Sequence, residues 1–297
     1  MKQLYGGVEI GGTKFICAVG TKPEDLKNIF RSVTTNPSNT ISSISHYFYE
    51  QNKINPLTAI GIGTFGPIDN NRNSSSYGFI TSTPKQYWQC TDILGSIKKA
   101  LNLHVVFDLD TKTAALGEYL WGAAHGLQNF LYITVGSGIG GGAMFNGQFS
   151  NNPIPPEMGH IFIPHDKKLD PFNGVCPFHG DCLEGLASGP AMTKRWKIQP
   201  ESLPPDHPAW ELESVYLAYA ITNYIYILSP QRIVLGGGVM KQTSLFPMIR
   251  KNVQSLINRY FASDIIIDRI DDYIVPSELG DLNGVIGAIS LAKKEYP

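Results

Sequence analysis

Short runs of alternating or continuous apolar residues dominate the first part of the chain, and longer apolar stretches at helical spacing dominate the last part. From Tyr5 to Gly20, β-branched and aromatic residues flank Gly11-Gly12-Thr13-Lys14, a pattern that predicts a hairpin with a glycine tip. Ala59 to Pro67 and His104 to Phe107 read as buried strands, with helices at Ile41 to Asn52 and Leu94 to Leu101 between them. Thr111 to Trp121 has the Ala, Leu and Glu content of a helix, and the strand Leu131 to Val135 then enters a second glycine run, Gly136 to Gly142. This recurrence of strand and glycine tip suggests a duplicated architecture. Asn151 to Leu183 is rich in Pro, Gly, His and Cys without periodicity, which predicts an irregular excursion. Gly185 to Trp196 begins the next helix. Glu211 to Leu228 is apolar almost all round and reads as a buried helix that Pro230 ends. The strand Arg232 to Leu235 runs into Gly236-Gly237-Gly238, Phe246 to Tyr260 is an amphipathic helix, and Asn283 to Lys293 is a final helix expected to pack back on the first lobe.

Strands alternating with helices give an α/β fold class. A chain of 297 residues that is 42% hydrophobic can bury two cores. The expected division is a small α/β lobe over 1–110, completed by the helix at 283–297, and a large α/β lobe over 111–282 that contains the irregular loop 151–185. A net charge of −1 with both signs interspersed offers no basic stripe for nucleic acid or an anionic membrane. The N-terminal residues lack an apolar signal core and no apolar run approaches about 18 residues, so a cytoplasmic protein is expected. Of four cysteines, Cys17, Cys90, Cys176 and Cys182, only the last two lie close together, which in a reducing compartment points to metal rather than a disulfide.

Three glycine clusters each end an apolar strand, and glycine lets backbone N–H groups approach phosphate without a β-carbon in the way. None has P-loop spacing, and none is the dinucleotide fingerprint in its strand, turn and helix setting. Cys176, His179 and Cys182, each separated by two residues, can converge on one tetrahedral ion, with His160 or His165 as the fourth ligand. Asp110 opens a helix, where its plain role is a cap, and Asp108 is the competing carboxylate on the preceding strand. Glu9 lies two positions before the first glycine tip and points to the face opposite Val8 and Ile10.

The segments GGVEIGGTKF (6–15), TVGSGIGGG (134–142) and VLGGGVM (234–240) resemble, in order and spacing, the nucleotide-binding parts of the actin-like sugar kinases and, within them, the ROK family. The resemblance extends over nearly the whole chain to PEMGH (156–160), LEGLASGP (183–190) and GVIGAISLA (284–292). It implies a two-lobed actin-like ATPase (ribonuclease H-like) fold with an irregular zinc-binding loop, and an ATP-dependent sugar kinase as the activity. Nucleotide contacts are then implied at Gly11, Gly12, Thr13, Lys14, Thr134, Gly136, Ser137, Gly138, Pro190, Gly236, Gly237, Gly238, Val239 and Met240. The segment 107–118 resembles the family's catalytic stretch, which makes Asp110 the base that accepts the proton of the attacking sugar hydroxyl. Glu9 takes the place of an acidic residue that supports Mg²⁺ through water. His160 belongs to the family's Glu-x-Gly-His motif, which selects it over His165 and gives a structural Zn²⁺ held by His160, Cys176, His179 and Cys182, with no open position for a reactive water. Glu157, His160 and Glu184 are the implied sugar contacts.

TSTPKQYW (81–88), FDLDT (107–111) and PPEMGH (155–160), with the Cys-x-x-His-x-x-Cys loop, resemble the bacterial fructokinase branch of the ROK family. Glucokinase-like members usually have Asn directly before the catalytic Asp. Leu109 stands there and neither donates nor accepts, which would leave a pyranose hydroxyl unpaired at a cost of about 1–3 kcal/mol. The expected substrate is D-fructose, phosphorylated at C6, with mannose second and glucose as a further alternative. Some ROK proteins are sugar-responsive repressors with an N-terminal helix-turn-helix; only four residues precede Tyr5, too few for one. An inactive sugar-binding protein would need a broken phosphate loop or a missing carboxylate, and both are intact. The family also implies a homodimer.

Overall fold

The computed structural model describes residues 3–150 and 155–297. The chain forms two compact units, one of residues 1–126, 149–155 and 279–297, the other of 127–148 and 156–278.

In the first unit, strands β1 (Tyr5–Ile10) and β2 (Lys14–Gly20) form the expected hairpin, and β3 (Lys27–Val33) adds an antiparallel edge. Helix α1 (Pro37–Ile54) starts at Asn36, whose side chain accepts the Asn39 N–H, with Pro37 in its first turn. Strand β4 (Ala59–Thr64) pairs parallel with β1, a short ribbon is made by β5 (Phe79–Ile80) and β6 (Thr91–Asp92), and α2 (Ile93–Leu101) leads to β7 (His104–Leu109), parallel to β4. The sheet order is β3-β2-β1-β4-β7. One face buries Val8, Ile10, Ile60, Ile62 and Phe107 against Ile44 and Phe48 of α1 and Ile93 and Ile97 of α2. The other buries Tyr5, Ile16, Ala18 and Val106 against Val285, Ile286 and Ile289 of α10 (Asn283–Glu295).

Close approach on that second face depends on glycine. A β-carbon at Gly61 would lie 1.8 Å from the Ala288 carbonyl oxygen, and one at Gly287 would lie 1.7 Å from that of Thr113 in α3 (Asp110–Trp121). Helix α3 therefore packs with α10 in the first unit, whereas the expected division placed it, from residue 111, in the second lobe.

In the second unit, β8 (Phe130–Val135) and β9 (Ile139–Phe145) form another hairpin, followed by β10 (Gln148–Phe149). Only residues 136–138 form its tip; Gly140 to Gly142 lie inside β9, where Gly141 lets Met158 close over the strand. Helices α4 (Leu183–Ala187) and α5 (Gly189–Trp196) replace the single expected helix, since Ser188 turns extended and caps α5, with Pro190 in its first turn. Helix α6 (Ala209–Leu228) is buried over most of its length and stops at Ser229 in the left-handed region. Strand β11 (Arg232–Gly236) precedes α7 (Leu245–Ile257), which ends at left-handed Asn258, short of the expected Tyr260. The short helices α8 (Asp264–Ile267) and α9 (Ile270–Tyr273) lead to β12 (Ile274–Pro276). The sheet order is β10-β9-β8-β11-β12, so numbered within each sheet both read 3-2-1-4-5. The suspected duplication is one of topology.

Candidate active site and metal centre

The first unit gathers charge around its hairpin tip. Gly11 N–H donates to the Lys14 carbonyl at 2.9 Å, the Thr34 hydroxyl donates to the Gly11 carbonyl at 2.9 Å, and Thr34 N–H donates to the Thr13 carbonyl at 2.9 Å. The N–H groups of Gly12 and Thr13 have no partner among the described residues. Thr13 and Lys14 are exposed, and Lys14 Nζ lies 3.8 Å from the Asp281 carboxylate just before α10. Thr34 and Asp281 carried no spacing signal, being separated from the tip by long stretches of chain.

Glu9 alternates away from Val8 and Ile10 towards α10, where a β-carbon on Gly284 would come 2.3 Å from its carboxyl carbon. Burial, with the Asp110 charge adding to it, pushes the Glu9 pKa up to about 8, against the opposing pull of Lys14. A carboxyl so withdrawn from water gains a compensating charge from a cation, which fits the support of Mg²⁺ through water.

Asp110 is the first residue of α3, with Leu109 at the capping position, so the expected cap by Asp110 is not formed. Its Oδ1 instead accepts the N–H of Thr111 at 2.7 Å. Burial pushes its pKa up to about 6, partly opposed by backbone hydrogen bonds from Thr111 and its own N–H. Such a group is ionised at neutral pH yet more basic than an ordinary carboxylate. Asp108 is different: it is ion-paired with Lys112 at 2.7 Å and accepts Leu109 N–H, so its charge is already matched.

The second unit brings three separate segments together. The tip closes through Gly136 N–H on the Gly138 carbonyl, and the Gly136 carbonyl accepts the Gly189 N–H at 2.8 Å, tying α5 and Pro190 to the hairpin. Gly236 is in parallel register with Thr134. Gly237 has φ +94°, and a β-carbon there would meet the Val135 carbonyl at 2.3 Å and the Thr134 hydroxyl at 2.7 Å. A β-carbon on Gly136 would lie 3.6 Å from Gly238 N. Thr134, Gly136, Ser137, Gly138, Pro190, Gly237 and Gly238 thus form one backbone-rich surface with no ionisable side chain, whereas Gly236, Val239 and Met240 are buried, the last two in the core of this unit.

Beside it, Glu184 Oε2 accepts Ile139 N–H at 2.9 Å, leaving Oε1 without a partner among the described residues. Glu157 is exposed and starts the turn Met158 to His160, and Gly159 allows that turn to rest on the Ile139 carbonyl, 1.8 Å from where a β-carbon would be.

His160, Cys176, His179 and Cys182 form the one metal-ligand cluster found among the described residues, with all four ligand atoms within 4.8 Å of one another. Zinc bonds of about 2.0–2.3 Å in a tetrahedron place ligand atoms about 3.3–3.8 Å apart. Cys182 Sγ to His160 Nδ1 is 3.5 Å, Cys176 Sγ to His179 Nδ1 is 3.6 Å and Cys176 Sγ to His160 Nδ1 is 3.8 Å. The donor set and spacing fit zinc. A bridge between Cys176 and Gly180 bends the loop, and His179 N–H donates to Cys176 Sγ, a contact that would stabilise a thiolate there. Burial raises the Cys182 pKa to about 11, so metal must displace a proton. His165 is occupied elsewhere, against Asp181 at 3.0 Å and the Asp170 carbonyl at 2.9 Å, and Asp170 also accepts from Tyr216 and Arg195. The expected irregular loop is thus stapled twice; its residues 151–154 lie outside the described ones.

Several known proteins are similar to this chain. A fructokinase from Lactococcus lactis subsp. cremoris is 42% identical over 88% of this chain and 87% of its own length. A fructokinase from Pediococcus pentosaceus is 38% identical over 98% of each. The crystal structure of a ROK family glucokinase from Streptomyces griseus, in complex with glucose and AMPPNP, superposes with a TM-score of 0.81 over 98% of this chain and 99% of that one, at 22% identity. At that identity the likeness shows the fold, that of the actin-like ATPases. The ROK family model matches residues 5–295, and with this hairpin order, glycine placement and Cys/His loop in hand, the chain belongs to the ROK family.

Proposed function

We propose that this protein is an ATP-dependent hexose kinase that converts D-fructose to fructose 6-phosphate. The observation that carries the reading is Asp110, a half-buried carboxylate with its pKa raised to about 6, in a chain whose relatives of 38% and 42% identity include fructokinases. In phosphoryl transfer the protein mainly positions the phosphates and stabilises their charge. Gly12 and Thr13, at the centre of the Gly11 to Lys14 tip, would receive phosphate oxygens on their free N–H groups, Glu9 would support Mg²⁺, and Asp110 would take the proton of the C6 hydroxyl. The surface from Thr134 to Gly138, with Pro190 and Gly236 to Met240, would carry the rest of the nucleotide.

Glu157, His160 and Glu184 would bind sugar hydroxyls, held in place by a structural zinc on His160, Cys176, His179 and Cys182. Zinc filled by four protein ligands supplies rigidity there and no reactive water. A cytosolic setting keeps these thiols reduced, and the family resemblance implies a homodimer. Leu109, whose side chain lies against Gly66, would present an apolar wall where an amide would favour a pyranose. The test is kcat/KM for fructose, mannose, glucose and N-acetylmannosamine at saturating Mg·ATP, in the natural protein and in Leu109→Asn. Fructose is expected to lead, with mannose second, and the substitution to move the fructose-to-glucose ratio several-fold towards glucose. Glucose or N-acetylmannosamine ahead of fructose in the natural protein would refute the substrate assignment.

A further inference from the structure

The loop 81–90 is the motif that the nucleotide, sugar and metal assignments leave unused. Trp88 fixes it: the indole is fully buried, its Nε1–H donates to the Thr35 carbonyl at 2.7 Å, and its ring meets Phe65 edge-on at 5.1 Å. Thr83, also buried, accepts the Lys85 N–H, and Gln89 donates to the Thr83 carbonyl. The loop so anchored extends Lys85 over the Phe65 ring, 5.9 Å from its centroid, to donate from Nζ to the Gly12 carbonyl in the middle of the phosphate tip.

A trans peptide points its C=O and N–H in opposite directions. The carbonyl that Lys85 grips belongs to the peptide whose N–H is that of Thr13, and the carbonyl that the Thr34 hydroxyl grips belongs to the peptide whose N–H is that of Gly12. With both oxygens drawn back into the protein, both N–H groups are turned outward, and these are the two without partners among the described residues. A cation on the oxygen also polarises the amide, which makes the Thr13 N–H a stronger donor than a neutral partner would. Burial lowers the Lys85 pKa, the cost of holding an ammonium in this position.

We propose that Lys85 is a positioning residue for phosphoryl transfer, which aims and strengthens the Gly12–Thr13 amide at the group being transferred. This rests on the kinase reading above. Its value grows as charge accumulates on the phosphoryl oxygens, so it acts more on the transition state than on bound nucleotide.

The experiment compares Lys85→Met, which keeps the stem over Phe65 without the charge, and Lys85→Arg with the natural protein. Turnover with fructose, KM for fructose, Mg·ADP affinity and Tm are measured for each. For Lys85→Met, kcat is expected to fall about 10- to 100-fold, with KM, Mg·ADP affinity and Tm close to the natural values, and Lys85→Arg to recover most of the loss. Unchanged kcat in Lys85→Met overturns the proposal. So does a fall in which Tm and Mg·ADP affinity drop together and arginine recovers nothing, which marks a structural brace. Absence of hexose-dependent ADP release in the natural protein defeats the kinase reading itself, a result separable from either.

Discussion

The two units have the same strand order and put opposite chemistry on it. In each, the first two strands form a hairpin with a glycine tip and the fourth lies parallel beside the first. The first unit surrounds its tip with Glu9, Lys14, Asp110 and Asp281, two of them with carboxyl pKa values shifted upward. The second has Ser137 between two glycines, backed by a third glycine cluster and a Ser-capped helix, with Glu184 of α4 as the carboxylate beside it and its Cys and His residues in the appended loop. A topology that ends strands at glycine tips supplies backbone donors twice over, and the side chains around each tip set the two copies apart.

Replacing the base should break that asymmetry most strongly. Asp110→Asn is expected to lower kcat by about 10²- to 10⁴-fold with nucleotide affinity little changed, as read by steady-state kinetics and Mg·ADP titration. In the natural protein the base must be ionised, so kcat/KM is expected to fall as pH drops through about 6, and the acid limb to vanish from the residual activity of Asp110→Asn. The stability consequence runs the other way. A carboxyl whose folded pKa lies above its ordinary value binds more protons folded than unfolded, so it costs stability as pH rises from about 4 to 6. Asp110→Asn should therefore have a higher Tm than the natural protein at pH 8.

The second unit is tested through its metal. Protein purified without added metal is expected to contain one zinc per chain by elemental analysis. Chelation should increase proteolytic cleavage within 155–185 and raise KM for the hexose about tenfold or more, while Mg·ADP affinity stays unchanged. A zinc-free protein with full activity would refute the site.

The smallest of these effects separates two adjacent glycines. Gly237→Ala forces a left-handed position onto a β-carbon facing the Val135 carbonyl, and a loss of about 1–3 kcal/mol is expected in denaturant unfolding. Gly238, with φ −63° and nothing within 4 Å of a β-carbon, should accept alanine with Tm nearly unchanged.

What could be read in advance followed local chemistry. The first hairpin tip, the buried helix before Pro230 and the Cys176, His179, Cys182 spacing are written in neighbouring residues and appear where expected, whereas the second tip takes only the start of its glycine run. Edge strand β3 was missed because it is almost wholly exposed and lacks a hydrophobic period, and β12 because it is three residues long. The break at Ser188 needed the capping geometry of α5 to be seen. Thr34, Lys85 and Asp281 reach the first tip from three distant places, and no spacing rule links them to Gly11. The capping role expected of Asp110 failed because the strand runs straight into the helix and gives that position to Leu109.

The seating of α10 on β1 and β4 sets an order of assembly. Tyr5 on the first strand and Val285 and Ile289 on the last helix share one buried cluster, although the whole stretch 127–278 intervenes, apart from a short return at 149–155. During synthesis the second unit can close on contacts already available, while the strand that carries Glu9 waits, half-covered, for α10, which is made after it. Such long-range closure raises the mean sequence separation of the contacts in the first unit and slows its folding.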